Sequence, residues 1–446
     1  MAYFSIHGGV PLSGSVRLGG AKNASYKLMI ASLLADSQSR LLNFSHISDV
    51  ELVEKILTYL GAGVKHAGER SIFIDPTSIQ QNQIHPDHGE QGRFSTMFIP
   101  VLLHRFGRAQ VPAPGGDKLG SRPLDRHFDG LQAMGADIIV QDNMYLVTTQ
   151  GLRGTTYRFA KNTHTGTETL ILAAVKAQGT TVLENAALEP EIDDLIDFLN
   201  AMGAKITRLP DRVIKIEGVD RLHGAIHSLI PDRNEAVSYA CTALATKGDV
   251  VIENAKPDHL AVFLETLRQA GAGVETGSYG IRFYFKQTLT ATSIETHIEP
   301  GFMTDWQPLW AMLMTQAQGE SVIHETIMPN RFQYVADLQT MGASITMFQP
   351  EVADRDATYN FNLSDDRPEY YHGIKIQGPT QLRSGKFNVR DLRHGATLVG
   401  AALCARGEST ITQIEHIDRG YEALDQRLRS MGAQIVRRDE LDPGEK

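Results

Sequence analysis

The polar residues best suited to chemistry stand where helices begin. They read AKNAS at Lys22, GRFST at Arg93, THTGTE at Thr163, PDRNE at Asp232, MTDWQ at Asp305 and RDLRHG at Asp391. Asp, Asn, Ser and Thr at such places accept bonds from first-turn amides, which accounts for many of them as helix caps. Capping does not account for Lys22, Arg93 and Arg393, because the helix dipole disfavours a cation at an N-terminus. Helix N-termini supplemented by cations form a receptor for phosphate or carboxylate. Two loops add more positive charge beside glycine, GSRPLDRH with Arg122 and EHIDRGYE with Arg419. The first belongs to PAPGGDKLGSRPLDRH, Pro112 to His127, where Asp117 sits among glycines and cations with almost nothing to bury. A dinucleotide fingerprint and a Walker A motif are both absent, which argues against ordinary NAD or NTP binding.

What must position these residues is a repeat. A Gly-Ala pair closes a helical pattern six times, in TYLGAGV, QAMGADI, NAMGAKI, RQAGAGV, QTMGASI and RSMGAQI. The pairs recur about every 70 residues, with a longer last interval of about 90. Glycine suits the left-handed end of a helix, and a β-like run such as ADIIV follows. Upstream, LILAAVKAQGTTVLENA, YACTALATKGDVVIENA, LWAMLMTQAQGESVIHE and VGAALCARGESTITQ each set an Ala-, Leu- and Met-rich helix before glycine and a β-branched strand. Each unit therefore reads β-α-β-α-β-β. Six such units predict an α/β (α+β) protein of two domains with three units each. The excess in the last interval, near DRDATYNFNLSDDRPEYYHG (354–373), reads as a polar surface insertion.

The 446 residues are too many for one core, in keeping with that division. A net charge of −9 and the absence of a basic block disfavour nucleic acid as a partner. The longest apolar runs, such as LMIASLLA, cannot span a bilayer, and MAYFSIHGGV lacks the pattern of a signal peptide, so a cytoplasmic protein is expected. Cys241 and Cys404 lie in small-residue helical patterns and read as buried thiols, without a disulfide or zinc framework.

The segments GGAKNAS, PGGDKLGSRP, GTTVLENAALEPEI, TDWQ, NRFQYVADLQTMGA, RDLR and HIDRGYE, in this order within a six-fold repeat, resemble the enolpyruvyltransferase family. The resemblance runs from about Gly14 to about Val436 and is strongest to the branch acting on UDP-N-acetylglucosamine. It implies two inside-out α/β barrel-like domains. One takes residues 22–230 and carries the loop 112–127; the other takes 1–21 and 231–436; a polar tail, 437–446, follows. It further implies transfer of the enolpyruvyl group of phosphoenolpyruvate to a sugar 3′-hydroxyl, with no metal or organic cofactor. That chemistry asks for an acid to protonate C3, a base for the hydroxyl and cations for the phosphate.

By the resemblance, Lys22, Asn23, Arg122, Arg393 and Arg419 bind phosphoenolpyruvate, with Lys22 and Arg419 also catalytic. Asp305 is the base near the sugar hydroxyl, and Asp391 lies close by. Arg93, Arg122, Pro123, Leu124, Asp125, Arg126, Lys161, His164, Thr165, Asp305 and Ile327 match positions that contact the nucleotide sugar. Asp117 stands where most relatives carry a cysteine, and a carboxyl group with a raised pKa could deliver the same proton. The epoxide fosfomycin, which alkylates that cysteine, is then expected not to inactivate this protein. KNTHTGTE, from Lys161, is one residue longer and more polar than the common pattern. Shikimate-directed members begin with Lys-Ser and carry a Gly-Asn-Ala-Gly-Thr-Ala stretch, both absent here. An enzyme acting on another uridine nucleotide and a non-catalytic paralogue remain as rivals.

Overall fold

The computed structural model describes residues 2–114 and 123–439. The chain divides into two compact units: a first domain of residues 19–114 and 123–230, and a second of residues 2–18 and 231–439. The strands form six separate sheets, five of four strands and one of three, with no closed barrel of strands among the described residues.

In each domain the enclosed helices are the first of their units, while second helices such as Ser48–Leu60 and Asp125–Ala133 keep an exposed face. The helix Arg233–Ala245 is buried along its whole length, and so is Gln307–Met314. Leu392–Cys404 joins them, with only Cys404 partly accessible. Past their polar first turns such helices are apolar or small-residued all round rather than striped, as a fully enclosed helix must be. Gly400 marks where the three meet: a Cβ there would lie 2.8 Å from Met312 Cε and 3.0 Å from Thr242 Oγ1. The sheets supply alternating faces to this core. Thr180–Glu184, Asp249–Glu253, Gly319–His324 and Gly407–Thr412 each bury their fourth-from-last and last-but-one positions and expose the rest in part, the two-residue period of a half-covered strand. All six Gly-Ala glycines have positive φ, from 87° at Gly271 to 101° at Gly61 and Gly203, as the helix-end reading requires.

The repeat holds in three dimensions but not as a contiguous segment. In the third unit the strands Thr156–Arg158, Thr180–Glu184, Lys205–Leu209 and Val213–Glu217 all come from one stretch of chain. The first unit instead takes its opening strand from Ile226–Ser228, which runs parallel to Ser39–Leu42. The fourth takes its opening strand from Ser13–Arg17, parallel to Asp249–Glu253. The sixth is completed by Tyr3–Gly8, inserted antiparallel between Gly407–Thr412 and Gln434–Arg438. In the second unit the opening strand shrinks to a bridge, Gln83 to Gln110, leaving three strands.

Two boundaries differ from the sequence reading. Arg437 and Arg438 pair in the final strand rather than opening a tail. The 354–373 stretch is not only surface: Tyr359, Phe361 and His372 are buried in it, with Tyr359 and Phe361 rings stacked at 4.9 Å. Cys241 is fully buried and Cys404 partly so, both as free thiols.

Helix direction follows from the ends. In the first domain a cavity of about 440 Å³ is lined by Leu34, Ala35, His104, Arg105 and Lys176, among others. These residues lie at or just past the C-termini of Lys22–Ala31, Phe98–Phe106 and His164–Ala174. Arg105 donates to Leu33 O and Ala35 O at 2.6 and 2.9 Å, and His104 Nε2 reaches Ala173 O at 2.8 Å. Arg105, a cation at these C-termini, satisfies orphan carbonyls and complements the dipole. The N-termini therefore gather at the opposite end of the domain.

Candidate functional site

At that opposite end of the first domain stands Lys22, the first residue of its helix. Ala21 offers no side-chain cap, and Lys22 Nζ lies 2.9 Å from Asp49 Oδ2 and 5.5 Å from the Tyr26 ring centre. Asp49 is buried in the first turn of Ser48–Leu60, where the dipole favours an anion. Asn23 is half-buried beside Lys22. Arg93 opens a 3-10 turn, Arg93–Met97, that leads into Phe98–Phe106, and it is half-buried.

The Lys161–Thr165 stretch is built from local side-chain bonds. Thr163 caps the helix His164–Ala174, accepting from Gly166 N. Asn162 is buried and donates to Asn185 O at 3.0 Å, while Asn162 O faces Arg126 Nη1 at 3.4 Å. Thr165 Oγ1 meets His127 Nε2 at 2.9 Å, tying this stretch to the helix Asp125–Ala133. Lys161 is half-buried, Leu124 is buried, and Pro123 and Asp125 are exposed. His164 Nε2 is shared by Lys27 Nζ at 3.1 Å and Glu168 Oε1 at 3.2 Å. Burial and Lys27 pull the imidazole pKa down; Glu168 and Glu189 outweigh them and hold it above its ordinary 6.5. Lys27 and Glu168 themselves form an ion pair at 2.6 Å with almost no solvent access.

The second domain carries the remaining expected residues. Asp305 does not cap a helix: Gln307–Met314 begins two residues later, with Trp306 at the cap position and no side-chain bond there. Its carboxylate is instead held by arginines. Arg393 Nε and Nη2 reach Oδ2 at 3.2 and 3.1 Å, and Arg331 Nη2 lies 3.4 Å from Oδ1. Asp391 and Asp232 are true caps, the former accepting from Arg393 N and His394 N, the latter from Asn234 N and Glu235 N. Ile327 is half-buried and its N–H donates to Glu325 Oε1 at 2.9 Å. Burial lifts the Glu325 carboxyl above its usual range, although Ile327 N, Met328 N, Arg331 and Thr304 all act to lower it.

Arg419 is half-buried and follows the short helix Glu415–Asp418. Its segment is anchored on both sides: Asp418 pairs with Arg437 at 2.6 Å, and Arg427 bridges Glu422 at 3.3 Å and Glu235 at 2.8 Å. Burial pushes Glu235 up to about 7 against the pull of Arg427. Asp117 and Arg122 lie outside the described residues.

Within the first domain the fold thus brings together Lys22 with Asp49, and Arg126, Lys161, His164 and Thr165 around one helix start. Within the second it brings Asp305, Arg393 and the Ile327 segment together. Lys27, Asp49, Glu168, Arg331 and Tyr421 were missed by sequence reasoning. Arg331 and Tyr421 stood in plain view in NRFQYVADLQTMGA and HIDRGYE. The others carried no local signal, since each matters through a partner far away in sequence.

The family model for EPSP synthase (3-phosphoshikimate 1-carboxyvinyltransferase) matches residues 6–428. The chain belongs to that family. Among the enolpyruvyltransferases with curated names, the UDP-N-acetylglucosamine 1-carboxyvinyltransferase of Desulforapulum autotrophicum is 39% identical over 437 residues, covering 98% of this chain and 100% of its own. Those of Halothermothrix orenii and Coxiella burnetii are 38% and 39% identical over 435 and 436 residues. They cover 98% and 97% of this chain, and 99% and 95% of their own. Solved structures confirm the enolpyruvyltransferase fold. The enolpyruvyl transferase NikO from Streptomyces tendae superposes with a TM-score of 0.84 at 22% identity, over 98% of this chain and 99% of its own. EPSP synthase from Acinetobacter baumannii gives 0.72 at 19%, over 98% and 100%.

Proposed function

We propose that this enolpyruvyltransferase transfers the enolpyruvyl group of phosphoenolpyruvate to the 3′-hydroxyl of UDP-N-acetylglucosamine and releases phosphate. The observation that carries the reading is full-length similarity, at 38 and 39% identity, to proteins named for that reaction. In a cell with a peptidoglycan wall this is the first committed step of its synthesis, carried out in the cytoplasm.

The reaction adds a proton to C3 of the enol, forms the bond from the sugar oxygen to C2, and then loses a C3 proton as the C2–O bond to phosphate breaks. Lys22, with Arg122, Arg393 and Arg419, would neutralise the phosphate and carboxylate of phosphoenolpyruvate, and Asn23 would contact the reacting centre. Asp305 would take the hydroxyl proton, and Asp117 would deliver the proton to C3. Cations aimed at charge that develops on the departing phosphate lower the barrier most, because they need no reorganisation. Arg93, Arg126, Lys161, His164, Thr165 and Ile327, with the Pro123–Asp125 segment, would hold the nucleotide sugar.

The unusually polar Lys161–Thr165 stretch keeps a second acceptor, another uridine nucleotide, as a rival. Phosphate release from phosphoenolpyruvate should be measured with UDP-N-acetylglucosamine, UMP and shikimate 3-phosphate in parallel. Turnover with the first alone is expected. Preferred turnover of UMP or shikimate 3-phosphate reassigns the acceptor, and no turnover with any of the three overturns the enzymatic reading.

A further inference from the structure

Arg393 is an unusually constrained arginine. It is buried, and while Nε and Nη2 face Asp305, its remaining amino group, Nη1, donates to Tyr421 Oη at 2.9 Å. The guanidinium carbon also lies 5.4 Å from the Tyr421 ring centre. Tyr421 is 1% exposed, so its hydroxyl must be satisfied within the protein.

The direction of each bond in this network can be assigned. Ser238 Oγ donates to Asn234 O at 2.8 Å, an ordinary back-bond within its helix. Its hydroxyl proton is thereby spent, so in the 2.6 Å contact between Ser238 Oγ and Tyr421 Oη the tyrosine is the donor. The phenol oxygen is then free to accept from Arg393, which has no other role to offer it. Asn234 closes the circuit through its own side chain, whose Oδ1 accepts from Trp306 Nε1 at 2.8 Å. Trp306 is the residue after Asp305. A continuous loop therefore runs from Asp305 through Arg393, Tyr421, Ser238 and Asn234 to Trp306, joining the N-termini of the three buried helices to the segment that carries Arg419.

We infer that Tyr421 is a positioning residue for the reaction: its hydroxyl orients the Arg393 guanidinium so that Arg393 holds the Asp305 carboxylate in place. This rests on the reading of Asp305 as the base. A guanidinium with two N–H groups on one carboxylate oxygen can still rotate about its own axis; a third bond at Nη1, backed by the ring face, removes that freedom. Among the described residues, the charged groups on the carboxylate include Arg331 and Arg393, and Asp232 and Tyr421 stand beside Arg393 in turn. Burial keeps Tyr421 a neutral phenol by lifting its pKa.

The test is steady-state kinetics of Tyr421→Phe, Ser238→Ala and the double variant, with a crystal structure of Tyr421→Phe. Loss of the hydroxyl should lower kcat by about 10- to 100-fold, the scale of a misplaced catalytic group, while KM for the nucleotide sugar stays within about 2-fold and only KM for phosphoenolpyruvate, which Arg393 also helps to hold, rises. Ser238→Ala should give a smaller loss, and the double variant should be no worse than Tyr421→Phe, because both break one chain. In the crystal, the Arg393 to Asp305 distances should lengthen past hydrogen-bond reach. Unchanged kcat in Tyr421→Phe, multiplicative losses in the double variant, or unchanged distances would overturn the inference. If the unmodified enzyme turns over none of the acceptors, the functional reading fails, and the crystal distances still decide the role of Tyr421.

Discussion

Arg393 and Asp305 stand 88 residues apart in sequence and meet through two hydrogen bonds to a single carboxylate oxygen, Oδ2. The other oxygen faces Arg331. Two flanking arginines hold the carboxylate in one orientation, which is what a base needs before it meets its proton. Asp305→Ala is accordingly expected to cut turnover by about 10²- to 10⁴-fold, while calorimetry shows nucleotide-sugar binding largely intact. Unchanged turnover would remove Asp305 from the mechanism.

Lys22 and Asp49 offer a way to separate binding from folding. Lys22→Met should reduce kcat/KM for phosphoenolpyruvate by about 100-fold or more and cost about 1–3 kcal/mol of stability, because buried Asp49 loses its ammonium partner. Adding Asp49→Asn to that variant should recover the stability in urea melts without recovering activity. Joint recovery of both would make Lys22 structural.

The Lys27–Glu168 pair has almost no solvent access. Removing one partner, as in Lys27→Met, should destabilise by about 3–5 kcal/mol, whereas Lys27→Met with Glu168→Leu should recover part of that loss, His164 being left without either of these partners. Denaturant titrations of the single and double variants decide this. A double variant as unstable as the single one would show that the pair is needed for more than mutual compensation.

His104 predicts an acid sensitivity. Burial, with a contribution from Lys176, takes its imidazole from 6.5 down to about 4, against the pull of Ala173 O. The folded protein therefore binds fewer protons than the unfolded chain between those values. Stability is full above pH 6.5 and is lost as pH falls toward 4, by about 3 kcal/mol from this group. His104→Gln should flatten the fall of the melting temperature across that window. An identical pH profile in the variant would exclude His104 as the cause.

Asp117 gives the last prediction. Incubation with fosfomycin should leave the intact mass unchanged and activity undiminished, since a carboxylate is a far weaker nucleophile than a thiolate. Asp117→Cys should restore covalent labelling. Rapid labelling of the unmodified protein at Asp117 would refute the expectation.

The repeat was legible in the chain itself. Gly61, Gly135, Gly203, Gly271, Gly342 and Gly432 announce helix ends because positive φ is a local demand that glycine meets best, and each adopts it. The caps at Thr163, Asp232 and Asp391 were legible for the same reason, being bonds to amides two or three residues away. Tertiary structure alone decided which strands complete which sheets: Ser13–Arg17 and Ile226–Ser228 leave their sequence neighbours to pair across the chain. It also decided that Asp305 is clamped by Arg331 and Arg393 rather than capping a helix, and that Lys22 faces Asp49. Those relations depend on long-range burial and charge pairing, which place residues by the packing of whole helices and leave no mark on the spacing of the residues themselves.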